Sequence, residues 1–178
     1  MVTYITCVLS GSRYIIDRLN VVVYGGTKNY HGYHKEYRNN LFIRPDIGCG
    51  NTVCGENDAS GVSPGGPRPL SENWYNNTCV TAGTPYKDDV ACKGAPDANS
   101  TTAMQYRGNT FLTPSGDPEK LMVSCTKSTA ADAEAEGLTN VSFSKWQTTG
   151  RDKGSTVAKW PEPAALMTMA RKLLNMKS

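Results

Sequence analysis

The sequence has no long hydrophobic run: no stretch approaches the roughly 20 apolar residues of a membrane span, so neither a helical membrane protein nor a membrane partner is expected. Charge of one sign is equally scarce. The 19 basic and 16 acidic residues leave a formal charge of +3, too little to call for nucleic acid but compatible with a weakly basic face toward an acidic ligand. Histidine occurs only twice, and no second cysteine or histidine pair stands at finger-like spacing from Cys49 and Cys54, which argues against a structural zinc site. Long helical periodicity is confined to the C-terminus. The N-terminal run "MVTYITCVLSGSRYIIDRLN" has polar residues throughout and lacks the basic leader and uninterrupted core of a signal peptide.

What the chain does contain points outward from the cell. Seventeen glycines, ten prolines and nine tyrosines against three phenylalanines fit a turn-rich β protein with semi-exposed aromatic surface. Six cysteines, at 7, 49, 54, 79, 92 and 125, favour disulfides, whose pairing the sequence leaves open. Asn76-Asn77-Thr78, Asn99-Ser100-Thr101 and Asn140-Val141-Ser142 are glycosylation triplets. Together these predict an extracellular or secretory-pathway glycoprotein, the given chain then being the C-terminal part of something longer.

One phrase recurs. "YRNNLFI", "WYNNTCV" and "QYRGNTFL" each carry an aromatic (Tyr37, Trp74, Tyr106), an asparagine three residues on (Asn40, Asn77, Asn109) and a short apolar run; Asp17, Asn20 and "VVV" form a weaker copy. The spacing between asparagines varies, which excludes a rigid repeat but suits stacked coils with loops of different length. Asparagine tolerates left-handed backbone angles and its amide both donates and accepts, so a column of asparagines can bond along a stack at about 4.8 Å per level. The residue two places later then points inward, giving Val22, Phe42, Cys79 and Phe111 as a second internal column. Leu41, Ile43, Val80 and Leu112 are apolar where a solvent-facing column should be polar. Unrelated turns in a Greek-key sandwich are the competing reading.

On "NNLFI", "NNTCV" and "GNTFL" the chain resembles the right-handed parallel β-helix of the pectin-lyase-like superfamily. The resemblance implies an all-β fold of few coils with an asparagine ladder over residues 1–125 and long loops, 46–71 and 84–102, on one edge. Residues 126–178 follow as an extended tail, "KWQTTGRDKGSTVAKWPEP", and an amphipathic helix from Pro163 that caps or buttresses the coil, with Leu166, Ala170, Leu173 and Leu174 at helical spacing. So few coils also imply missing N-terminal coils or end-to-end self-association.

The densest reactive segment is "YGGTKNYHGYHKEY", residues 24 to 37. Polysaccharide lyases of the resembled fold need a base, an acid and positive charge to neutralise a carboxylate, and Lys28, His34 and Lys35 are the catalytic candidates. Ordinary stacking and hydrogen bonding explain the same residues, and no acid pair suited to glycoside hydrolysis stands out. Two places before the asparagines lie Arg18, Arg38, Tyr75 and Arg107. Stacked, they would form a stripe of guanidinium groups and an aromatic ring suited to an acidic polysaccharide, with Arg38, Tyr75 and Arg107 as substrate-binding candidates. Ordinary salt bridges to Glu36 and Glu72 are the alternative. No metal or other cofactor is called for, calcium entering only if the protein is a lyase. The expected function is binding, and in an enzymatic form cleaving, of an acidic polysaccharide; a non-enzymatic cell-wall or adhesive module is the alternative, and the residues leave open whether the protein is an enzyme.

Overall fold

Each copy of the phrase folds as two short strands around one corner. The computed structural model describes residues 15–23, 35–43, 72–85, 105–123 and 140–176. The paired strands are β1 (Ile15–Arg18) and β2 (Val21–Val23), β3 (Lys35–Arg38) and β4 (Leu41–Ile43), β5 (Glu72–Tyr75) and β6 (Thr78–Val80), and β7 (Gln105–Arg107) and β8 (Thr110–Thr113). The chain visits two sheets in turn: β1-β3-β5-β7 form one, β2-β4-β6-β8 the other, and every neighbour within them is parallel. Parallel pairing rules out the hairpins of a Greek-key sandwich. The protein is mostly β-strand in parallel sheets, with few helices among the described residues.

The period of two along each strand decides what is buried. In the first sheet Tyr37, Trp74 and Tyr106 stand in register and face inward, all three nearly inaccessible. Tyr37 and Trp74 stack with ring centroids 4.6 Å apart. In the second sheet Val22, Phe42, Cys79 and Phe111 form the inner column that the spacing predicts. Cys79 is the one cysteine among the described residues, and it sits between the two phenylalanines.

Between these columns runs the asparagine ladder. The Asn20 N–H donates to Asn40 Oδ1, the Asn40 N–H to Asn77 Oδ1 and the Asn77 N–H to Asn109 Oδ1, each at 3.0 Å. The side-chain amides turn back to the carbonyls of the sheet: Asn77 Nδ2 reaches Tyr37 O at 2.8 Å and Asn109 Nδ2 reaches Trp74 O at 3.0 Å. Each backbone carbonyl at these positions accepts from the next level at 2.8 Å, so the main-chain ladder crosses the corner without a break. The left-handed residue is not the ladder asparagine, as the sequence reading had it, but its predecessor: Leu19, Asn39, Asn76 and Gly108 have φ of 61°, 56°, 55° and 62°. That turn swings the next side chain into the interior.

A fifth level lies in the stretch read from sequence as an extended surface tail. β11 (Thr156–Lys159) pairs in parallel with β8, and Lys153 bridges Arg107. "KGSTVAK" repeats "RGNTFLT", with Gly154 (φ 75°) at the corner and Ser155 in place of asparagine. Here the ladder ends: the Asn109 N–H donates to Ser155 Oγ at 2.9 Å, Ser155 Oγ to Asp152 Oδ1 at 2.9 Å, and Trp146 Nε1 to Asp152 Oδ2 at 2.9 Å. The interior is closed at this end by α1 (Phe143–Thr148) and the antiparallel pair of β9 (Met122–Val123) and β10 (Val141–Ser142). Phe143 meets Phe111 edge to face at 5.1 Å, while Leu121, Val123, Val141 and Trp146 complete the plug.

The helix α2 (Pro163–Leu173) begins with proline in its first turn, as expected. It does not cover the plugged end. Instead Leu166, Met169, Ala170 and Leu173 lie on the outer face of the second sheet against Leu41, Val80 and Leu112, which explains the apolar residues at positions that an uncovered sheet would make polar. Leu174 is the exception to the predicted stripe and is exposed.

Removing a ladder amide strands groups on both sides. Asn77→Ala removes the acceptor of the Asn40 N–H and the side-chain donor to the Tyr37 carbonyl, and is expected to cost about 2 to 4 kcal/mol in chemical denaturation. Asn76→Gly, one residue away at the left-handed corner, is expected to stay within about 0.5 kcal/mol of the parent. Equal losses would show that the ladder bonds do not carry the corner.

Candidate functional site

The outward positions of the first sheet bring together the basic residues picked out from sequence. Arg18, Arg38, Tyr75 and Arg107 are in register, and the bridge adds Lys153 as the fifth member. Opposite neighbours of like charge repel, so this column needs local compensation. Arg38 finds it in Glu36 on the same strand, N to O 3.6 Å, which is the salt-bridge reading realised for that residue. The Arg107 guanidinium lies over the Tyr75 ring, 5.0 Å from its centroid. Arg18, Arg107 and Lys153 have no carboxylate partner among the described residues. Among the described residues, three positive charges of the stripe are therefore held by the backbone register without a carboxylate beside them.

Around the corner from this column lies an open groove of about 630 Å³. One wall is the left-handed corner itself, with Asn39 and Asn76; the other is the end of α2, with Lys172 and Asn175; Leu41 and Leu173 form part of the floor. Consecutive asparagines thus have opposite roles. Asn40 and Asn77 are buried in the ladder, whereas Asn39 and Asn76 are exposed and their side-chain amides have no partner among the described residues.

Lys28 and His34 lie outside the described residues, as do most of the two long loops expected on one edge. Lys35 is the first residue of β3, between Ile15 and Glu72 in register. Arg38, Tyr75 and Arg107 are brought together; the three catalytic candidates are not placed as a group. Among the described residues no cluster of three histidine, cysteine or acidic side chains could hold a metal, and no helix is long and apolar enough to cross a membrane. The corner groove was missed because a helix 130 or so residues downstream forms half of it, a contact that spacing within one repeat does not encode. Lys153 was legible in principle, since "KGS" aligns with "RGN". The chain matches no protein-family model, no curated protein and no solved structure.

Tyr75 reports on the column. Partial burial raises its hydroxyl pKa above 10.0, and a hydrogen bond to Glu36 together with that carboxylate's charge raises it further, while Arg38 pulls it down. The folded value exceeds the unfolded one, so this contribution to stability is complete below pH about 10 and is lost as pH rises through the folded pKa. Glu36→Gln is expected to lower the Tyr75 transition seen by phenolate absorbance without returning it to 10.0, because burial, the largest cause, remains. An unchanged transition would separate Glu36 from the Tyr75 hydroxyl.

Proposed function

We propose that the protein is a secreted right-handed parallel β-helix of the pectin-lyase-like kind that binds an acidic polysaccharide along the Arg38, Tyr75 and Arg107 column. The observation that carries this reading is the in-register stack of cations: at every level except that of Tyr75 the position is arginine or lysine, and only Arg38 has an acidic partner among the described residues. A polyanion running along the stack would meet one basic group per level, spaced by about 4.8 Å. Guanidinium groups bind carboxylates in a bidentate fashion, and the Tyr75 ring adds a flat apolar surface for a sugar face. The repulsion within the column is relieved when the ligand is bound.

Cleavage by elimination would fall to Lys28, His34 and Lys35, with calcium as the ion if the enzyme needs one. The non-enzymatic alternative, a cell-wall or adhesive module, corresponds to binding without product. Export is supported by the six cysteines, read as disulfides, and by the glycosylation triplet whose exposed Asn140 stands in a turn before β10. Further coils upstream or end-to-end self-association belong to the same reading.

The test is retention on an immobilised polyuronate against a neutral glycan, with unsaturated uronate products followed in the same samples. The parent is expected to be retained on the polyuronate and released by salt; Arg38→Ala with Arg107→Ala is expected to weaken binding about tenfold or more. Equal retention of parent and double variant would remove the column as the binding surface. In a glycosylating secretory host, a glycan is expected on Asn140 and not on Asn76, where it would fill the groove; peptide mass spectrometry reads both sites, and occupancy of Asn76 alone would contradict this.

A further inference from the structure

We propose that the groove between the corner of the stack and the end of α2 is a distinct subsite for one uronate unit of the bound polysaccharide, Lys172 taking its carboxylate and Asn39 and Asn76 its hydroxyls. This rests on the polysaccharide reading and extends it from the flat column to the open groove beside it. The groove holds a concentration of uncommitted polar groups. Asn39, Asn76, Asn175 and Lys172 all line it, and none of these side chains has a hydrogen-bond or ionic partner among the described residues. The ladder asparagines beside them are fully engaged.

The corner column itself follows the groove. A left-handed corner is met most cheaply by glycine, and Gly108 and Gly154 serve at the two levels beyond the groove. At the three levels that line it the chain has Leu19, Asn39 and Asn76 instead. Asparagine tolerates this conformation, but leucine at φ 61° does not do so readily, and Leu19 is also 46% exposed. A strained, exposed apolar residue at the end of a groove is the kind of local cost found where a ligand is held. Leu19 offers the apolar surface that the C–H face of a sugar ring requires.

Charge selects the ligand class. Among the described residues no acidic side chain lines the groove, and Lys172 is the one ionised group there. In the last turn of α2 the carbonyls of Ala170, Arg171 and Lys172 already accept from the backbone N–H groups of Leu174, Met176 and Asn175. Amides that both donate and accept suit hydroxyl groups, and an ammonium suits a carboxylate. The groove is also continuous with the basic column, because Arg38 and Asn39 are adjacent, as are Tyr75 and Asn76.

Titration calorimetry with a uronate oligosaccharide and its neutral counterpart tests the subsite, using protein from a host that does not glycosylate Asn76. Lys172→Met is expected to weaken uronate binding about tenfold and leave the neutral sugar unaffected. Asn39→Gly with Asn76→Gly, which preserves the corner geometry that glycine already adopts at 108 and 154, is expected to weaken binding to a similar extent. Lys145→Met, on the exposed side of α1, is expected to change nothing. If uronate binding is lost in the Arg38 and Arg107 variant but unchanged in both groove variants, the subsite is overturned while the polysaccharide reading stands. If the parent binds no uronate, both are overturned.

Discussion

The stack depends on the hydrogen bond from the backbone N–H of one corner asparagine to the side-chain oxygen of the next. Strands of three or four residues carry little register information of their own, and a slip of one residue would turn Phe42, Cys79 and Phe111 from the interior to the surface. The ladder prevents that slip because the donor and acceptor meet in only one register. It also solves a desolvation problem. The corner amides are buried at 2 to 3% exposure, where an unpaired polar group costs about 1 to 3 kcal/mol, and the stack supplies partners for them on both sides.

A repeating ladder needs an end, and the end differs chemically from the repeat. Ser155 accepts the last asparagine N–H but is too short to continue the column, so its hydroxyl passes the bond to Asp152, which is held in turn by the Trp146 indole. One tryptophan therefore does two jobs. Its ring completes the plug behind Phe111 and Phe143 while its N–H fixes the carboxylate that terminates the polar column. The apolar and polar columns stop at the same level, and the neighbouring Arg151 guanidinium lies over the Trp146 ring, 5.1 Å from its centroid.

Much of this was legible in the sequence, for a physical reason. The phrase of aromatic, asparagine and apolar run encodes a corner and the two faces on either side of it, and these are local properties of a few consecutive residues. The interior column, the basic column and the helix from Pro163 follow from periodicity alone. The corner was misread by one position: Asn39 and Asn40 are adjacent and identical, as are Asn76 and Asn77, and composition cannot tell which of each pair takes the left-handed angle. Gly108 before Asn109 was the clue, since glycine marks the strained position. The fifth level is hidden in the sequence because it has serine, Ser155, where the other levels have asparagine. The second, outer core was visible only as an anomaly in the pattern of Leu41, Val80 and Leu112, because the helix that covers them is remote in sequence.

The basic column carries a cost that the fold does not require. Outward positions on a parallel sheet are free to alternate in charge, and doing so would favour the stack by roughly 0.2 to 1 kcal/mol per neighbouring pair. This sheet instead aligns Arg18, Arg38, Arg107 and Lys153, softened by one carboxylate and one aromatic ring. The inner columns would be satisfied by any polar residues there, so packing does not account for the choice. Under the proposed function a periodic anion does, because it would convert the repulsion of the free protein into attraction in the complex. On that proposal the arrangement trades some stability of the unliganded stack for affinity, and the trade is confined to the outward column that leads into the groove at the corner.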